Sequence, residues 1–171
     1  MGAWGVTARQ CDYGLDTLAL IEKECLKPIG FRHFDVKCIL EHCKNHIINE
    51  VIRENAPYTQ EGEDIQEYID DALSRKYDTA IMLVVECLAD YFQTGVFRIR
   101  DYEANTEMEI TTFIFTDNLL DELYNELQKM LDPKHSQYKS WIGDDTLQKW
   151  KLHMKFLCDS LIALKGGIVN E

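Results

Sequence analysis

Few of the signatures by which a sequence announces a reaction or a location occur in this chain. Only three prolines stand among 171 residues, and no tract rich in Pro, Gly or Ser divides them, so a single domain over residues 1–171 is expected. No apolar run approaches the ~18 residues that span a bilayer, and no basic region followed by an apolar stretch and a cleavage site opens the chain. Both observations predict a cytoplasmic protein with no membrane partner. No basic stripe is present either: 18 Lys and Arg face 30 Asp and Glu, for a net charge of −12, so phosphate backbones are repelled and no nucleic-acid partner is expected. The six cysteines, at 11, 25, 38, 43, 87 and 158, contain no Cys-x-x-Cys pair. Cys38 and Cys43 lie five apart on one predicted helix and point about 140° away from each other, so they do not bridge locally. The cysteines other than Cys11 and Cys38 sit among apolar neighbours, as reduced core thiols do. Phosphate-binding Gly loops, Gly-x-Gly-x-x-Gly, Gly-x-Ser-x-Gly and His-Glu-x-x-His are all absent; no cofactor is expected, and an enzyme is the less favoured class.

What is present is helical periodicity. The 46% hydrophobic content is enough to bury roughly 70% of the unfolded surface at this length. A helix over 12–26 is predicted from Leu15, Leu18, Ala19, Cys25 and Leu26, with Asp12 as N-cap and Pro28 and Gly30 as stop. A second, over 35–55, carries Val36, Ile39, Leu40, Cys43, Ile47 and Val51 on its buried face. A polar segment over 59–76 forms a third around Ile65, Tyr68, Ile69 and Leu73. Over 77–94 apolar residues wrap nearly the whole circumference, marking a central helix that Gly95 closes. Later helices follow from Leu119, Leu120, Leu123, Leu127, Met130 and Leu131, and from the stripe Leu147, Trp150, Met154, Leu157, Leu161 and Leu164, capped by Asp144 or Asp145.

Between the central helix and the helix at Leu119 the period becomes alternating, with Phe97 and Ile99 against Arg98 and Arg100, then Met108 and Ile110 against Glu107 and Glu109. An antiparallel β-hairpin over about 96–116 is predicted. A turn at Glu103-Ala104-Asn105-Thr106 sets Arg100 opposite Glu109 and Ile99 opposite Ile110. The expected fold class is therefore mainly α, about six helices with one inserted hairpin.

Three constellations carry potential chemistry. Cys38, His42, His46 and Glu50 recur every four residues on the second helix, and a His pair at that spacing suits one metal ion. Each step drifts about 40°, however, so four such ligands do not surround a tetrahedral ion, and other elements must complete the set. Glu86 and Asp90 lie one turn apart on the most apolar helix, where an unpaired carboxylate costs several kcal/mol, about the price of desolvation. They are expected to be paired, to be exposed, or to form a His/carboxylate metal or hydrolytic site with His42 and His46. Glu22 projects from the centre of its helix's apolar arc and is expected to be buried against a partner such as His46 or Arg53.

The acids themselves offer the bland alternative. Asp101, Glu103, Glu107 and Glu109, continuing to Asp121 and Glu122, form a surface suited to docking a basic protein. A non-enzymatic acidic interaction module, immunity-like or regulatory, is the preferred reading, and a metal-dependent or hydrolytic enzyme the alternative.

The chain opens Met1-Gly2-Ala3-Trp4-Gly5, followed by Asp12, Tyr13, Gly14, Leu15 and Asp16. It resembles a set of small bacterial proteins of unknown function that open Gly-Ala-Trp-Gly and place an acidic, apolar-striped helix next. The resemblance assigns no activity. It implies an acid in the central helix as well, which suits a structural partner for the N-terminal segment. Glycines on both sides of Trp4 let the backbone bring a large indole against a packed surface, and an N-terminal anchor is expected, with a Trp-centred pocket as the alternative.

Overall fold

Apolar residues at helical spacing decide the scaffold, and the most apolar segment sits at its centre. The computed structural model describes residues 6–55, 65–101, 103–141 and 146–167. The Gly-Ala-Trp-Gly opening, residues 59–64 and the Asp144 and Asp145 caps lie outside them. The fold is mainly α: α1 Asp12–Leu20, α2 Val36–Asn55, α3 Ile65–Ala72, α4 Asp78–Thr94, α5 Asp117–Met130, a short α6 Ser136–Ser140 and α7 Leu147–Gly167. Strands are β1 Phe34–Asp35, β2 Phe97–Asp101, β3 Thr106–Ile110 and β4 Phe113–Ile114. No described helix is long and apolar enough to cross a membrane.

α4 is buried without interruption from Asp78 to Ala89 and packs against α1, α2, α5 and α7. A helix apolar on every side has no other stable position. Gly95, at φ 72°, ends it in the left-handed conformation that residues with a Cβ rarely adopt. The amphipathic partners present the faces expected of them: Val36, Ile39, Leu40, Cys43, Ile47 and Val51 on α2, Leu120, Leu123, Leu127 and Met130 on α5, and Trp150, Met154, Leu157, Leu161 and Leu164 on α7 are all buried. Ile47 and Val51 close a smaller cluster with Ile69 and Ala72 of α3.

Three features depart from the sequence reading. Leu15 and Ala19 face solvent, because the helix widens into a π turn over Ile21–Leu26 and the extra residue per turn rotates the downstream face. Ile21, Glu22 and Leu26 are buried instead of a continuous 3.6-residue stripe. The cap of α1 is Cys11 rather than Asp12: its Sγ accepts the Gly14 N–H at 3.3 Å. The hairpin forms between β2 and β3, but its register is shifted by two residues, with Arg100 opposite Glu107 and Ile99 opposite Met108. A shift of two keeps every side chain on its face, so hydrophobic alternation does not distinguish the two registers. The turn decides: Asp101 Oδ1 accepts the N–H groups of Glu103 and Ala104, each at 3.0 Å, and Asn105 takes φ 53°.

The remaining strands pair in parallel, Phe34 with Phe113 and Asp35 with Ile114. An aromatic stack holds this short pairing: Phe113 lies between Phe34 and Tyr91, at 4.6 and 4.4 Å, with Phe97 edge-on.

Candidate functional site

The most densely bonded polar group of the interior is Glu86. Its Oε1 accepts the Ala8 N–H at 2.6 Å and the His153 Nε2–H at 2.8 Å, and its Oε2 accepts the Arg9 N–H at 3.3 Å. The Arg9 guanidinium continues the network to Asp90 Oδ2 at 2.5 Å and to Cys87 Sγ at 3.6 Å, and lies over the Phe97 ring. One buried carboxylate on α4 thus fastens the N-terminal segment and α7 together. Burial holds the Cys87 thiol up to about 12, so it stays protonated beside the guanidinium. Gly14 completes the arrangement, because a Cβ there would overlap the Ala8 carbonyl oxygen. Glu86 and Asp90 therefore act as structural partners of the N-terminal segment. The α4 carboxylates were legible in the sequence, whereas His153 was not: it lies beside the apolar stripe of α7 with no spacing that singles it out.

The imidazoles of α2 stand elsewhere. His42 Nε2 meets Glu24 at 2.9 Å in a groove that also includes Cys25, Cys38 and His33. His46 is exposed and lines a different groove with Tyr13, Glu50 and Lys76, where Lys76 Nζ donates to Glu50 at 2.7 Å. Burial raises Cys25 to about 11, and Cys38 is raised by Asp35, so both thiols are protonated at neutral pH. His42 and His46 consequently do not meet Glu86 and Asp90. Among the described residues no three His, Cys, Asp or Glu side chains converge as metal ligands. Glu22 is buried, as its position in the helix requires, and its charge helps to raise the Lys27 ammonium, behind the larger effect of the Glu103 hydrogen bond.

The acids of the hairpin are largely neutralised within the chain. Asp101 is buried and takes part in the turn, Lys27 reaches Glu103, and Arg98 Nε donates to Glu109 at 2.9 Å; Glu107 stands opposite Arg100 in the strand register, where the Arg100 guanidinium donates to Asn105 Oδ1. The outer face of α5 differs. Asp117, Asp121, Glu122 and Glu126 stand against a single helix cation, Lys129, and Glu122, Asn125, Gln128 and Asp132 line a shallow depression. Asp121 is tied to Lys165 of α7 at 2.6 Å, whereas Glu122 is exposed.

Elsewhere Asp78, in the first turn of α4, lies 3.6 Å from His135 Nε2. Burial, reinforced by the Glu126 charge, raises its carboxyl to about 7. Comparison of the chain with protein-family models, curated proteins and solved structures returned no match.

Proposed function

We propose that this protein is a non-enzymatic acidic interaction module, immunity-like or regulatory, that acts in the cytoplasm by docking a partner with a basic surface, such as a basic toxin or nuclease. The supporting observation is the row of carboxylates on the outer face of α5 together with the net charge of −12. On α5 Asp121 reaches Lys165 and Glu126 reaches Lys129, whereas the exposed Asp117 and Glu122 take part in no ion pair among the described residues. An exposed acidic face on a helix attracts a cationic partner over a Debye length of about 8 Å at physiological salt, and repels nucleic acid. Glu122, with Asp121 beside it, is the centre of this surface; Glu103, Glu107 and Glu109 contribute at its edge, and Asp101 acts from the interior by shaping the turn.

The metal-dependent or hydrolytic alternative draws less support. Its carboxylates are occupied by the N-terminal segment and His153, and its imidazoles line two separate grooves. The test is capture from the native host with the wild-type protein and with a Glu122→Lys, Asn125→Lys variant as bait. A partner held by the wild type, lost by the variant and eluted by salt supports the proposal. A partner held equally by both, or none, counts against it.

A further inference from the structure

Two side-chain links join α5 to α7. Gln128 Nε2 donates to Cys158 Sγ at 3.3 Å; seven residues earlier on α5 and seven later on α7, Lys165 Nζ donates to both oxygens of Asp121, at 2.7 and 2.6 Å. The two helices therefore run antiparallel. At the Asp121 end a groove of about 320 Å³ lies between them, lined by Leu120, Asp121, Tyr124, Leu161, Ile162 and Lys165.

The groove has an apolar floor and a charged rim. Leu120 and Leu161 are buried, Tyr124 is half-buried, and Ile162 is 57% exposed on the wall, so a large aliphatic side chain faces water beside a space already lined with carbon. The polar members, Asp121 and Lys165, satisfy each other, and no lining residue holds a buried side-chain polar atom without a partner. A small ligand enclosed there would find nothing to fix its orientation. The carboxylates beside the groove do have free acceptor positions. Asp117, one turn before Asp121, lies within about 40° of Asp121 and about 20° of Tyr124 around α5, exposed and in no ion pair among the described residues.

We infer that this groove is the socket for one large apolar side chain of a basic partner, Leu, Met or Phe, carried on a segment whose neighbouring Lys or Arg side chains meet Asp117 and Asp121. The inference rests on the reading of α5 as the docking face and adds a second requirement to it. Charge selects the class of partner: a net charge of −12 repels a second copy of this chain, an anionic membrane surface and nucleic acid, whereas a cationic segment is drawn to the carboxylate row. Exposed ion pairs are screened by water and hold a partner weakly. The groove supplies what they lack, a desolvated apolar contact beside them, and interfaces take most of their affinity from a few such anchors seated in pockets.

The probes are the peptide acetyl-Arg-Ala-Ala-Arg-Ala-Ala-Leu-Ala-Ala-Arg-Ala-Ala-Arg-amide and its analogue with Ala in place of Leu. Both are titrated into the full chain labelled at its Ile and Leu methyl groups, as wild type and as the Ile162→Ser and Asp117→Asn variants. Both positions are exposed, so the replacements leave the core in place, and Ile162→Ser assigns the Ile162 methyl resonance by removing it. The Leu peptide is expected to bind wild type about tenfold more tightly than the analogue and to shift the Ile162 methyl resonance in a saturable manner. Ile162→Ser is expected to reduce that ratio to about threefold or less, and Asp117→Asn to weaken both peptides alike. Equal, salt-sensitive binding of the two peptides overturns the socket and leaves the acidic face standing. A tenfold preference for Leu that responds neither to salt nor to Asp117→Asn overturns the acidic reading on which the inference rests. Binding of neither peptide overturns both.

Discussion

Replacement of Glu86 by Gln isolates the contribution of the carboxylate that joins the N-terminal segment, α4 and α7. The amide is nearly isosteric and keeps one acceptor oxygen, which remains for Ala8 N–H and His153. The other terminus becomes an NH2 group facing the Arg9 N–H and, at 3.9 Å, the Arg9 Nε. One charge-assisted hydrogen bond is lost, worth about 1.5–3 kcal/mol, and the two retained bonds weaken toward the neutral value of about 1 kcal/mol each. The expected total is about 3 kcal/mol. For a chain of this length each kcal/mol lowers Tm by about 2–4 °C, so a fall of about 6–12 °C is expected in calorimetry. The loss is also local: amide exchange at Ala8 and Arg9 accelerates more than exchange inside α5. A Tm within about 2 °C of wild type, with unchanged exchange at those two amides, would refute the view that Glu86 holds the segment down.

Three further outcomes follow. Asp78→Asn is expected to stabilise the fold above neutral pH. The folded carboxyl titrates near 7 against 3.8 when unfolded, so the native chain retains a proton that the unfolded chain has released. Stability is therefore lost as pH rises from about 4 to about 7 and is constant beyond; the ceiling is about 4 kcal/mol, reduced to about 2 by solvent at the carboxyl edge. The groups facing Asp78 are Glu126 and Lys129 of α5 and His135, and urea titrations of both proteins from pH 4 to 8 measure the difference; a gap independent of pH contradicts the assignment. Gly14→Ala places a methyl group onto the Ala8 carbonyl and is expected to cost about 2–3 kcal/mol in chemical denaturation, most of it as displacement of the N-terminal segment. Asn105→Ala is expected to cost about 1 kcal/mol through the positive φ of 53°, whereas Asn105→Gly is near neutral; equal effects of the two would show that backbone conformation is not the cause.

The parts of this fold that depend on one-dimensional periodicity were legible. The buried faces of α2, α5 and α7 and the central place of α4 follow from where Leu, Ile and Val recur, because burial on a straight helix depends only on spacing. The parts that depend on a local change of winding were not. Nothing in the residues of Ile21–Leu26 or Leu73–Tyr77 signals a π turn, yet the first rotates Leu15 out to solvent and the second creates the carbonyls that α6 satisfies. Hairpin register had the same difficulty, since a two-residue slip is silent in the alternation and only the Asp101 turn geometry fixes it. At the candidate site, the need of Glu86 for a partner was readable from its apolar surroundings. His42 on Glu24 and His153 on Glu86 are meetings between distant segments that spacing within one helix does not reveal.

The measurement that bears most directly on the account is the salt dependence of affinity for the captured partner. Across a rise from about 0.05 to about 0.5 M salt the screening length falls about threefold. A partner docked on the carboxylates of α5 loses at least about tenfold in affinity, chiefly through slower association, and Glu122→Lys removes most of that dependence. An affinity that is unchanged by salt, and equal for wild type and Glu122→Lys, would contradict the claim that this protein acts through its acidic face.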